Sequence, residues 1–339
     1  MTGARKDTRW RAHVGRWLGI LISLALLAWI LHTFDMAEVG RALLAANYLY
    51  LLPLIALVVV NFALRALRWG TLFRDTSTPR WTDLFVAMMI GYLGNNILPA
   101  RAGELVRAYV LGKRSGSSKS KALATVMVER VVDLLVVLFL FPVLLFFYPV
   151  TGWLVRAGMV VGAIGLAATA FLASLMIWGP HLLTWTLRRL AFLPHGILTR
   201  MEAVGNGFVA GVRGFRKPRQ AFSFLSYTAV IWSMEAISVW IIAQAFSLPL
   251  SIGGSLFIIL VIGIGMIIPS SPGYVGTYEF FALNALTVFS ISGSNALGFT
   301  VIMHVVSFAG SSILGAICLA LSGQSLIRMS RQPLRLAEE

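Results

Sequence analysis

The chain has 339 residues, of which 58% are hydrophobic and only 12% charged, and its mean hydropathy is +0.83. A soluble domain lies nearer half apolar and a quarter charged, so this composition excludes one and points to a polytopic helical membrane protein. A net charge of +15 needs an explanation, and the single Cys318 excludes a disulfide framework or a thiolate metal site.

In chain order, a basic N-terminus (residues 1–16, with Arg5, Lys6, Arg9, Arg11 and Arg16) leads into the apolar run Trp17–Phe34. Asp35-Met36-Ala37-Glu38 is the wrong chemistry for a signal-peptide cleavage site, so this run reads as a retained signal anchor. Apolar runs at Tyr48–Leu67, Ala122–Tyr148, Gly152–Trp178, Ala221–Phe246 and Leu297–Leu321 complete six expected spans. Two further segments, Trp81–Gly112 and Ile252–Ser290, are interrupted by Pro and Gly and read as re-entrant hairpins. A basic loop at 179–220 and a tail at 322–339 lie outside the membrane, and Trp185, Leu187, Leu190 and Phe192 predict a helix on its surface.

The basic residues sort to one side of this scheme. Arg65, Arg68, Arg74 and Arg80 cluster at and beyond the end of the second span, Lys113, Arg114, Lys119 and Lys121 follow the first hairpin, and Arg188 to Arg219 fill the long loop. The positive-inside rule then puts both termini in the cytoplasm. Anionic lipid head groups at these loops account for the charge, and no nucleic-acid partner is needed. Flanked by basic loops, the first hairpin dips in from the cytoplasm; flanked by uncharged ones, the second dips in from outside. Opposed hairpins are what an inverted-topology repeat produces, and paired broken helices mark a transporter's binding site.

The breaks carry the chemistry. Asn96, Pro99 and Gly103 interrupt the first hairpin, and Pro269, Pro272, Gly273 and Gly276 the second. Past Pro99, Glu104 stands three residues from both Arg101 and Arg107, which predicts a half-helix with two guanidinium groups around one carboxylate. Such a cluster at a helix N-terminus suits a phosphate; equally, Glu104 serves only to neutralise its neighbours. Glu129 and Asp133 share a helical face beside Arg130 and need a second cation, supplied by Arg101, Arg107 or a substrate ammonium, or else form a structural ion-pair network. Glu279 either caps the returning half-helix, with Thr277 as N-cap, or forms a proton or amine site facing Arg130 or His304. Glu235, mid-span, calls for a basic partner or carries protons. No nucleotide loop or His-Glu-x-x-His pair is present, so no cofactor or metal is expected.

Together, Asn96, Pro99, Gly103, Glu104, Arg107, then Glu129, Arg130, Asp133, then Pro269, Pro272, Gly273, Gly276 and Glu279 resemble the signature of the lysylphosphatidylglycerol synthase transmembrane region, the flippase-like membrane proteins. The resemblance runs from about Leu18 to Leu321. It implies lipid translocation across a bacterial inner membrane, with a phospholipid, aminoacylated lipid or glycolipid as substrate. The same protein family includes the membrane half of multiple peptide resistance factors; the aminoacyl-transferase domain of those factors does not follow here, so no synthase activity is expected. The expectation is a transporter rather than an enzyme. The rival expectations are a membrane subunit of a head-group-modifying enzyme and a scaffold for a cytosolic lipid-modifying enzyme. A homo-oligomer is a further expected partner.

Overall fold

The computed structural model describes residues 21–73, 79–98, 101–148, 152–215, 217–266 and 271–322, and every regular element among them is helical. The chain forms α1 (Leu21–Thr33), α2 (Met36–Ala45), α3 (Leu51–Gly70), α4 (Trp81–Ile97), α5 (Gly103–Ser115), α6 (Lys119–Leu145), α7 (Trp153–Arg189), α8 (His195–Gly214), α9 (Pro218–Ala245), α10 (Ile252–Gly265), α11 (Thr277–Thr287) and α12 (Gly293–Leu321). Starts are set by local chemistry. Asp35 accepts the Ala37 N–H at 2.8 Å, Ser251 accepts that of Gly254 at 3.0 Å, and Pro218 takes the first position of α9. Gly116, with φ +67°, ends α5.

Four stretches among the described residues are long and apolar enough to cross a bilayer: Tyr48–Phe73, Gly158–Leu175, Pro218–Ala245 and Gly293–Leu321. A fifth is the pair α1 and α2, bent by 84°. The sixth expected span, α6, is a continuous helix of 27 residues whose apolar run is interrupted by Glu129, Arg130 and Asp133.

The connections carry helices of their own. The stretch after the first span is the helix α2, which Asp35 caps and which packs on α12. The segment 179–220 is also largely helical. The helix α7 runs on through Pro180 to Arg189, so Trp185 belongs to this extension and not to a separate surface helix. At 37 residues it is about 55 Å long, well beyond a ~30 Å hydrocarbon layer. Behind it, α8 packs back on α6 and α7 and buries Val209 and Val212.

Both interrupted segments form helix–break–helix pairs: α4 packs on α5, and α10 on α11. Each pair has its own apolar core. One gathers Met88, Ile90, Val106 and Leu111 with Trp69, Val126 and Phe224. The other gathers Phe257, Leu260 and Leu286 with Phe141, Ile242 and Phe299. The closest approach in the first pair is at Gly103, where a Cβ would lie 2.0 Å from the Gly91 carbonyl oxygen. Gly315 in turn lets α12 lie against the α4 backbone at Met89.

Candidate functional site

Across α3, α5, α6 and α9, four guanidinium groups face four carboxylates among the described residues. The centre is Arg68 on α3, fully buried. Its Nη1 donates to Asp133 Oδ1 at 2.6 Å and its Nη2 to Glu129 Oε1 at 2.6 Å and Asp133 Oδ2 at 3.0 Å. Nη1 also reaches Thr228 Oγ1 at 3.3 Å, and Phe224 lies beneath the guanidinium, 5.2 Å from its ring centre. The shared face of Glu129 and Asp133 is therefore real, and one arginine bridges both.

Arg107 on α5 lies 2.8 Å from Glu129 Oε2 and sits 3.7 Å over the Trp69 ring. The pair is close but misaligned, so neither Arg107 Nη2 nor Glu129 Oε2 forms a hydrogen bond in this arrangement. Arg130 lies 3.4 Å from Glu104 and 3.7 Å from Asp133, and Asn95 Nδ2 donates to Glu104 at 3.4 Å. Arg65, one turn before Arg68, donates to Glu235 at 2.9 Å and to Asn61 Oδ1 at 2.7 Å.

This geometry corrects the local pairing expected in the first hairpin. Glu104 meets Arg130 rather than Arg101 or Arg107, because Arg107 turns toward the buried Glu129 and Arg101 lies outside the helix with φ +52°. The second cation needed by Glu129 and Asp133 is Arg68 together with Arg107, so no substrate ammonium is required to balance them. Both Arg65 and Arg68 were read as head-group residues flanking a span. Both lie inside α3: Arg65 falls within the expected span itself, and Arg68 is included because the helix runs three residues past the expected boundary at Leu67. Their apolar surroundings on α3 and the mid-helix Glu235, which needs a cation, were the available signals.

Exposure divides the network. Arg68, Arg107 and Glu129 are sealed, whereas the Arg130 side chain is 33% exposed and that of Glu104 20%. Arg130 Nε and Nη2, and the nearby Tyr92 hydroxyl, are buried donor atoms without a hydrogen-bond partner in this structure. Arg107 carries three such nitrogens as well, and Arg130 Nε faces Glu104 Oε1 at 3.4 Å as an ion pair rather than a hydrogen bond.

The two breaks touch. Arg101 Nε donates to the Tyr274 hydroxyl at 2.7 Å and Nη2 to the Met266 carbonyl at 3.1 Å, linking the first break to both ends of the second. In the second break Pro272 opens a short 3₁₀ turn, and Gly273 and Gly276 take φ of +76° and +85°. The N-cap of α11 is Gly276 rather than Thr277. Glu279 accepts the Gly276 N–H at 2.7 Å, so it does cap, and it also meets His304 at 2.5 Å rather than Arg130. Asn96 does not interrupt its helix: it lies in the last turn of α4 and donates to Ser311 and Ser312 on α12. Gly103 opens α5 as a close-contact residue. Pro99 and Pro269 lie outside the described residues.

Beside the network, α6, α7, α9 and α10 line an open apolar cavity of about 640 Å³, with Val136, Phe139, Leu225, Trp232 and Leu256 in its wall. Thr228, the contact of Arg68, also lines it.

Membrane proteins similar in sequence cover most of this chain. A UPF0104 membrane protein of Methanothermobacter thermautotrophicus is 28% identical over 91% of this chain and 95% of its own. Another, PH1989 of Pyrococcus horikoshii, is 21% identical over 93% and 99%. The protein named glycosyltransferase AglD of Haloferax volcanii is 26% identical over 86% of this chain, which spans about half (52%) of that relative. No solved structure matches. Residues 16–315 match the family described as the lysylphosphatidylglycerol synthase TM region, and the chain belongs to that family.

Proposed function

We propose that the protein translocates a lipid between membrane leaflets, with the head group at the junction of the two breaks. The observation that carries this reading is the partly exposed Arg130, ion-paired to Glu104 and with donors that form no hydrogen bond, in a chain whose two broken helices are clasped by Arg101. Irregular backbone within a membrane survives only where protein buries it or water reaches it. Arg130, with Arg101 at the clasp, would take the phosphate oxygens; Arg68, Arg107 and Glu129 would hold the frame. The apolar cavity at Thr228 supports a lipid rather than a water-soluble substrate, because it offers space for a chain beside the charges. The hairpins would enter from opposite faces of a bacterial inner membrane, with both termini cytoplasmic and the basic loops on anionic head groups.

The test is a leaflet-protection assay in liposomes holding purified protein, using fluorescent phosphatidylglycerol, an aminoacylated phospholipid and a polyprenyl phosphate. Wild type should equilibrate at least one probe rapidly. Arg130→Ala should lose this while remaining monodisperse. Equal rates in empty and protein-bearing liposomes for all three probes overturn the reading.

A second reading rests on the Haloferax relative, whose name is that of a glycosyltransferase. In it, this chain is the membrane part of a lipid-glycosylating system and presents the lipid to a soluble partner. Sugar transfer to a polyprenyl phosphate that depends on this chain, without leaflet exchange, would favour it.

A further inference from the structure

We infer that Glu279 and His304 form a proton-binding site that controls the second break. His304 Nε2 faces the Gly273 carbonyl oxygen at 2.8 Å, and a carbonyl only accepts, so Nε2 must carry hydrogen. His304 Nδ1 faces Glu279 Oε1 at 2.5 Å, and the other oxygen, Oε2, already accepts the Gly276 N–H. A hydrogen must therefore lie between Nδ1 and Oε1 as well. A neutral imidazole and an ionised carboxylate together have only one ring hydrogen for these two contacts. The pair as arranged holds one proton more, as imidazolium and carboxylate or as imidazole and carboxylic acid.

Loss of that proton cannot leave both contacts in place. If Nε2 keeps its hydrogen, a ring lone pair faces the carboxylate. If Nδ1 keeps it, a lone pair faces the Gly273 carbonyl. Either way the break is released on one side: at Gly276, whose N–H Glu279 caps, or at Gly273. Gly273 adjoins Tyr274, the residue Arg101 holds from the first break. Proton occupancy is thereby tied to the clasp between the two breaks.

The surroundings leave this proton to the pair itself. Tyr278 on α11 stacks on the imidazole at 4.3 Å, and its phenol does not reach the ring nitrogens already engaged. Tyr274 and Arg101 bond each other, and Glu235 on α9 is paired with Arg65 of α3. The helix α4 meets α12 through Asn96 at Ser311 and Ser312, and α2 through Glu38 at Ser294. No cation among the described residues forms an ion pair with Glu279 other than His304.

The inference deepens the translocation reading by naming the ion that would drive it, and its test uses no lipid, so either can fail alone. Val275, 45% exposed, follows the 3₁₀ turn and reports its opening. Val275→Cys is placed in a Cys318→Ala background, and maleimide labelling is followed in detergent from about pH 5 to about pH 8, relative to a free thiol. The relative rate should rise about tenfold as the proton leaves, the effect of losing one hydrogen bond to a charged group. Glu279→Gln supplies an N–H to Nδ1 and an oxygen to Gly276, mimicking the protonated acid, and should stay slow at every pH. If that variant is not monodisperse, His304→Gln, which does not titrate, should likewise abolish the pH step. A wild-type rate that follows the free thiol, or a step that persists in the folded variant, overturns the inference.

Discussion

Replacing Arg68 by Met separates frame from function. The substitution keeps an unbranched apolar stem, shorter than arginine, and removes the three charged hydrogen bonds, at 2.6 to 3.0 Å, that join Glu129 and Asp133. Glu129 is fully buried and retains only the misaligned Arg107, while Asp133 retains Arg130 at 3.7 Å. Removing one partner of a buried ion pair costs about 3–5 kcal/mol, since the other charge stays in a poorly solvating site. At about 2–4 °C per kcal/mol for a chain of a few hundred residues, the melting temperature in detergent should fall on the order of 10 °C. Arg130→Met removes only contacts of 3.4 and 3.7 Å from a one-third-exposed side chain, so its stability cost should be about 1 kcal/mol or less. The assay is thermal denaturation of both variants by tryptophan fluorescence, with size-exclusion profiles. An Arg68→Met protein that melts within about 2 °C of wild type, or one no worse than Arg130→Met, refutes the division into sealed frame and accessible site.

Gly103→Ala should destabilise by about 1–3 kcal/mol, because its Cβ would meet the Gly91 carbonyl and the Asn95 backbone. Gly40→Ala, inside α2 with nothing within 4 Å of its Cβ, should stabilise by about 0.5–1 kcal/mol; thermal melts of the two variants should therefore shift in opposite directions. Tyr274→Phe removes the hydroxyl that accepts from Arg101, at little cost in melting temperature, and should slow leaflet exchange in liposomes. Unchanged exchange would detach the clasp from transport.

Much of this layout was legible in the sequence because its strongest marks are local. Pro272, Gly273 and Gly276 allow no regular helix, so the second break falls where those residues stand. The common face of Glu129 and Asp133 follows from helical spacing alone. Partners were legible only in part: Arg107 was one of the cations expected for Glu129 and Asp133, whereas Arg68 was not, because spacing fixes a face but not what faces it. Arg107 has Glu104 three residues away and instead pairs across to α6, where Glu129 is more deeply buried. Arg68 lies at the end of an apolar run, where a snorkelling arginine and a buried one leave the same trace in sequence. His304 is a lone residue on α12 that was expected, beside Arg130, as an alternative partner of Glu279, 25 residues earlier, and only the fold decides between the two.

The distribution of the network along the chain sets an order for biogenesis. Helix α3 brings two guanidinium groups and no carboxylate, and it is synthesised first. The carboxylates that engage Arg68 follow 61 and 65 residues later on α6, and the one for Arg65 follows 170 residues later on α9. In the interval α3 is an apolar helix with two unpaired cations near its end, more at home at the bilayer surface than at depth. The carboxylates of α6 and then α9 complete its pairing, so a ribosome-bound chain stalled before α9 would still hold Arg65 without its carboxylate.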